Sequence, residues 1–291
     1  MAQFIISAFA DEASDDLQGQ IEALKRNGLC MIEPRSIEGN MVEKTDEELE
    51  EIAAVLKENG ISISALGSPI GKYSIDEPFE PHLATFDRAL AACRILGAER
   101  MRVFSFYVPQ ERLAECRDEV LRRMRILLDR AKKAGVTLCH ENENKIYGQN
   151  TEEVADLLSA LPELRGVFDA ANYVLDKQDP IQGYEVTVPA FEYMHVKDAK
   201  KDRTIVPVGM GDGCYDEVIR RVDALTDRTV ILTVEPHLKK FTGYAAIDGR
   251  EMKHDLHFEN SNESFDYAVN SLKNMLTSLG YHEEENYIWK K

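Results

Sequence analysis

Four glycines, Gly28, Gly60, Gly97 and Gly135, each stand between a helical apolar period and a short apolar run, and they recur at spacings of 32 to 38 residues. That is the length one βα unit needs. Glycine at this point lets the chain leave a helix through the left-handed region, which costs other residues about 1–2 kcal/mol. Repetition of the junction lays successive strands in one direction with a helix crossing back each time, so a parallel sheet covered by helices is predicted.

The strands expected from this pattern are Phe4 to Phe9, Leu29 to Glu33, Ile61 to Leu66, Met101 to Phe106, the run from Val136 to Glu141, one at Val167 to Asp169, and two near Tyr193 to Lys197 and Val230 to Glu235. Helices are expected from Leu17 to Asn27, after the capping box Thr45-Asp-Glu-Glu48, from His82 to Leu96, Val120 to Ala134, Asn150 to Leu161, Asp216 to Leu225 and Glu263 to Leu279. Eight strands alternating with helices point to a closed (β/α)8 TIM barrel, one domain over residues 1–291 with a C-terminal loop and helix extension from about residue 241. The rival doubly wound sheet usually shows a glycine-rich turn after its first strand, and Ser7-Ala-Phe-Ala-Asp-Glu12 has none. Phe241 to Asn260 reads as polar and irregular.

Composition limits the partners. A net charge of −17 argues against wrapping a nucleic-acid backbone, which calls for a basic surface. No apolar run approaches the roughly 20 residues that span a bilayer, and the N-terminus lacks a signal-peptide pattern, so no membrane association and a cytoplasmic location are expected. The five cysteines are scattered with no C-x-x-C pair and read as reduced structural thiols. A homo-oligomer is compatible with this composition.

Four successive apolar runs end in or carry a metal-ligating side chain: Glu141, Asp169, His195 and Glu235. On neighbouring parallel strands these side chains converge. Three carboxylates share a small site only if something cancels their charge, and a divalent ion is the simplest such partner. Three oxygens and one imidazole suit Mn²⁺, Mg²⁺, Co²⁺ or Zn²⁺, with Mn²⁺ the first expectation, since no thiolate is present to select zinc.

The Glu141-Asn142 pair, Phe168-Asp169, His195-Val-Lys-Asp198, the loop Val208-Gly-Met-Gly-Asp-Gly213 and Val234-Glu-Pro236 together resemble the xylose isomerase-like barrel superfamily in its sugar phosphate isomerase/epimerase branch. The resemblance implies a TIM barrel holding one divalent metal through Glu141, Asp169, His195 and Glu235. It implies isomerase or epimerase chemistry on a small carbohydrate, with Glu141 and Glu235 trading a proton through an enediolate.

Other residues carry two readings. Glu143 competes with Glu141 as the ligand, and strand alternation favours Glu141. Asn172, where many relatives place a histidine, is read as a substrate contact. Lys197 is either a substrate contact or half of a surface ion pair with Asp198. Glu33 and Arg35 either bind substrate or form a mutual salt bridge. Gly209, Gly211 and Gly213 serve a tight turn or a phosphate. His254 and His257 line the mouth or sit in an ordinary loop. Cys139 and His140 pack within or against their strand.

The leading expectation is a metal-dependent sugar or sugar phosphate isomerase. The alternative is a dehydratase or lyase on a polyol or keto-acid. An abasic-site endonuclease would call for a histidine-rich centre, and no histidine lies between His82 and His140. A non-catalytic binding barrel is opposed by the retention of all four ligand types.

Overall fold

The computed structural model describes residues 1–239 and 253–291. Its elements run β1 (Gln3–Ala8), α1 (Leu17–Arg26), β2 (Met31–Ile32), α2 (Asp46–Glu58), β3 (Ser62–Ile63), β4 (Leu66–Gly67), α3 (Phe79–Leu96), β5 (Arg100–Val103), α4 (Leu113–Ala134), β6 (Thr137–Glu141), α5 (Thr151–Ala160) and β7 (Arg165–Asp169). Then come α6 (Ala170–Leu175), α7 (Pro180–Thr187), β8 (Phe191–Val196), β9 (Asp198–Ala199), β10 (Thr204–Val206), α8 (Tyr215–Leu225), β11 (Thr229–Val234), β12 (Lys253–His254), α9 (Ser261–Ser278), β13 (His282–Glu283) and β14 (Ile288–Lys290).

The largest sheet has the order β13-β14-β1-β11-β8-β7-β6-β5-β4, and β2 pairs with β3. Every barrel pairing is parallel, while β14 joins β1 antiparallel through Phe4–Trp289 and Ile5–Ile288. The barrel closes through single backbone bonds: the Glu33 amide donates to Ala8 O at 3.0 Å and the Gly67 amide to Pro34 O at 3.0 Å. The third stave, expected as one run, is broken into β3 and β4, the first half paired with β2 and the second with β5. Side chains alternate across each strand, so Ile5, Cys139, Val167, Tyr193 and Ile231 meet inside the barrel and plug it below the mouth.

Local chemistry places several ends. Thr45 and Glu48 form the expected capping box. Gly97 and Gly135 cap α3 and α4 in the left-handed region, at φ 71° and 74°. Asn150, expected as a cap, makes no capping hydrogen bond to α5. The helices α6 and α7 were not expected. They are short and follow Asp169 and Asp179, whose carboxylates accept from the Asn172 and Ile181 amides. Of the stretch expected to be irregular, residues 241–252 lie outside the described residues, while Lys253–His254 pairs with β10.

The glycine loop after β10 has a physical cause. Asp198 is buried, and its carboxylate accepts from the amides of Ala199 (2.9 Å), Gly209 (2.9 Å), Gly211 (3.1 Å) and Gly213 (3.0 Å). A Cβ on Gly211 would fall onto Asp198 Oδ1 and come within 2.6 Å of Ala199 O. The phosphate reading of this loop is therefore corrected, because its glycine amides already serve a carboxylate of the same chain.

Gly211→Ala is expected to cost about 3 kcal/mol or more, since the obstructing atoms are a carboxylate held by four amides and a backbone carbonyl. Gly97→Ala has nothing within 4 Å of its Cβ and should lose only about 1–2 kcal/mol of left-handed penalty. Urea denaturation of the two variants measures the difference, and equal losses would remove the close approach as the reason for Gly211.

Candidate metal centre

Parallel strands deliver Glu141 and Asp169 at the C-terminal ends of β6 and β7. His195 is the next-to-last residue of β8, and Glu235 follows β11 directly. Register pairs Asp169 and Thr233 with His195 from the two sides, which puts these side chains on one inner face. One donor atom from each of Glu141, Asp169, His195 and Glu235 lies within 4.8 Å of the others, and all four residues are buried. Glu143 is not among them. It turns away to Lys72 (3.2 Å) and accepts from the Asn144 amide.

Each glutamate is held from both ends. Glu141 Oε1 lies 3.1 Å from His195 Nδ1, and its Oε2 takes Arg102 at 2.6 Å. Glu235 Oε2 lies 3.2 Å from Lys197, and its Oε1 takes Arg35 at 3.1 Å. Lys197 also reaches Asp169 Oδ2 at 3.0 Å. Each glutamate thus turns one oxygen to the centre and gives the other to a guanidinium. On the far side of His195, Nε2 sits 3.2 and 3.3 Å from the two oxygens of Glu33.

These contacts set the protonation of the metal-free site. Burial would raise Glu141, but His195 and Arg102 hold it far below the usual carboxylate range. Burial would likewise raise Glu235, yet Lys197, His237, His195 and Arg35 keep it well down. Asp169 goes the other way: burial outweighs Lys197, and with Glu141 and Glu235 adding repulsion it is pushed up to about 7. Burial pulls His195 down, but Glu141 and Glu33 prevail and push it up to about 10.

The remaining expected residues are placed as follows. Asn172 donates to Asn142 O at 2.8 Å and to Glu141 Oε1 at 3.4 Å, so it touches the cluster. Lys197 is buried in the centre and is not paired with Asp198, which turns to the glycine loop. Glu33 and Arg35 do not pair with each other. Arg35 makes a two-pronged contact with Asp11 (2.9 and 3.0 Å) and reaches Glu12 at 3.4 Å. His254 Nε2 bonds His237 O, and His257 is exposed. Cys139 is inside the barrel, while His140 bonds Ser105 on the outer side.

Sequence reading missed Arg102, Asp11, Glu12 and His237. An arginine in the otherwise apolar run Met101–Val103 was the available signal for Arg102. His237 stands beside Glu12 (3.3 Å) in the left-handed region at φ 47°, a position no periodicity reveals.

The sequence model of the xylose isomerase-like TIM barrels matches residues 21–258. The chain belongs to this family. Among solved xylose isomerase-like folds, the IOLI protein with a bound zinc atom superposes with a TM-score of 0.74 at 14% identity, covering 94% of this chain and 99% of that one. D-psicose 3-epimerase in the presence of D-fructose gives 0.71 at 16%, covering 95% and 99%. The probable 3-DHS dehydratase AsbF from Bacillus anthracis gives 0.69 at 16%, covering 94% and 99%. At these identities the likeness speaks for the fold. No curated protein sequence matches. No helix among the described residues is long and apolar enough to cross a membrane.

The residues fit a divalent ion on the structure's own terms. His195 Nδ1 and Asp169 Oδ2 are buried and face the cluster, and among the described residues each meets an opposite charge, at 3.1 and 3.0 Å, without completing a well-directed hydrogen bond. Three carboxylates and one imidazole form a donor set suited to hard and borderline dications.

An ion binding here displaces the His195 Nδ1 proton and part of the Asp169 proton. Calorimetry with Mn²⁺ in buffers of differing ionisation enthalpy is expected to show release of about one to two protons per ion at pH 7, with affinity falling roughly tenfold or more per pH unit below that. Asp169→Ala and His195→Ala should each lose the ion while keeping the far-ultraviolet dichroism of the fold. Uptake without proton release would place the ion elsewhere.

Proposed function

We propose that this chain is a metal-dependent isomerase or epimerase acting on a small carbohydrate through an enediolate. The observation that carries the reading is the convergence of Glu141, Asp169, His195 and Glu235 at the C-terminal mouth, where barrels of this kind place their chemistry. A divalent ion bound there, with Mn²⁺ first and Mg²⁺, Co²⁺ and Zn²⁺ as alternatives, would polarise a carbonyl and its neighbouring hydroxyl and acidify the C–H between them.

The chain's own residues supply the proton transfers. Glu141 and Glu235 come from separated strands and address a substrate from two sides. Both are kept ionised by the cations around them, His195 and Arg102 at Glu141 and Lys197 foremost at Glu235, so each starts as a base. The proton-bearing group on the Glu235 side is Lys197, whose ammonium lies 3.2 Å from Glu235 Oε2. It can return a proton on that face through Glu235 or directly. Asn172, beside Glu141, is proposed to bind a substrate hydroxyl. Arg35 and Lys197 are proposed to bind substrate oxygens.

Lys197 also favours a second reading, loss of water from a polyol or keto-acid. A buried ammonium next to the base can protonate a departing hydroxyl after the same C–H abstraction. The endonuclease reading gains nothing from the structure, because His82 accepts from the Gly71 amide and His140 bonds Ser105, both outside the cluster.

Incubation of the Mn²⁺-loaded protein with a panel of ketoses and keto-polyols in D₂O, followed by NMR, is expected to show deuterium on the carbon beside the carbonyl of an isomeric product. Glu141→Gln and Glu235→Gln should each lower turnover on the order of 10²–10⁴-fold while retaining part of the metal affinity. A product short of one water would select the elimination reading. Wild-type turnover in both variants would end the two-glutamate mechanism.

A further inference from the structure

We infer that Glu33 is a positioning residue for the His195 imidazole and takes no part in substrate binding. It follows β2 and is fully buried, and its partners rather than its burial set it apart from the residues of the centre. Each of its oxygens is already engaged: Oε1 accepts from the Tyr193 hydroxyl at 2.9 Å and Oε2 from the Thr233 hydroxyl at 2.8 Å. His195 Nε2 straddles the same two oxygens at 3.2 and 3.3 Å.

Two hydroxyls, one from β8 and one from β11, therefore fix the carboxylate beneath one ring nitrogen. The ring cannot turn over easily, since Phe9 packs against it edge-on at 5.0 Å and Tyr193 at 5.5 Å. A carboxylate accepts and never donates when ionised, so Nε2 must carry the hydrogen that faces it. That leaves Nδ1 as the atom turned to the cluster, 3.1 Å from Glu141 Oε1 and 4.0 Å from Glu235 Oε2, where an ion would take the place of its proton. Glu33 thus selects the atom that His195 presents, and its charge raises the ring's strength as a donor. Its backbone amide, bonded to Ala8 O, holds it at the β1–β2 seam.

The inference rests on the metal centre proposed above, and the test separates the two. Mn²⁺ affinity is measured by calorimetry on the wild type, on Glu33→Gln and on the double variant Tyr193→Phe/Thr233→Val, each well below its thermal midpoint. Glu33→Gln keeps the size but loses the charge and turns an amide N–H₂ toward donors. It is expected to weaken Mn²⁺ binding about 10–100-fold. The double variant keeps the charge and frees the carboxylate to move, and should weaken binding in the same direction by less. A purely structural role would lower the midpoints and leave the affinities of the folded proteins alone. Wild-type affinity in Glu33→Gln overturns the inference while the metal centre stands, and the double variant decides in the same way if Glu33→Gln does not fold. Failure of the wild type itself to bind Mn²⁺ overturns both.

Discussion

An excess of buried negative charge at the barrel mouth is the constraint that shapes this protein. Asp11, Glu12, Glu33, Glu141, Asp169 and Glu235 are buried together, and the buried or nearly buried cations that touch them are Arg35, Arg102 and Lys197. With His195 also protonated in the absence of an ion, two negative charges remain, a state that a low-dielectric interior does not tolerate. Burial pushes Glu12 up to about 8 against the pull of Arg35, so this carboxyl holds a proton at neutral pH. One divalent ion that displaces the His195 proton then brings the mouth to neutrality. The same reckoning speaks against a second ion among Glu12, Glu235 and His237, although their donor atoms also lie within 4.8 Å of one another. Arg35 already stands on both carboxylates there, and a further dication would leave the mouth positive.

The sequence disclosed the fold and the four clustered residues because both depend on local rules. A glycine after a helix, a capping box and a charged residue at the end of an apolar run are each visible within a few positions. The partners of those residues were hidden, because they are set by closure. Arg35 finds Glu235 across 200 positions of chain and Glu33 finds His195 across 162, and nothing local distinguishes these pairs from a salt bridge between Glu33 and Arg35. The third stave was read as one run since its apolar alternation from Ile61 to Leu66 has no break, whereas its hydrogen bonds are divided between two neighbours.

The glycine loop shows how a motif can be structural and still matter to the site. By gathering four amides, Asp198 fixes the approach to α8, and α8 begins with Tyr215. The Tyr215 hydroxyl takes the Lys197 amide at 3.1 Å and lies 2.7 and 3.0 Å from the carbonyls of Lys197 and His195. The end of β8, with its imidazole and ammonium, is therefore braced from behind by an element that touches no substrate.

The strand that carries Asp11 and Glu12 into the mouth has an unusual dependence on order of synthesis. Apart from one bond to Glu33, β1 takes its neighbours from β11 and β14, which follow it by more than 200 residues. Most of a sheet partner's worth of unpaired amides and carbonyls on Phe4 to Ala8 must wait on the ribosome for roughly tens of seconds at ordinary elongation rates. During that time an apolar edge is open to strangers, a hazard that chaperones exist to cover. Such non-local closure makes for slow folding, since the entropy of a loop more than 200 residues long must be met before β1 gains its partners.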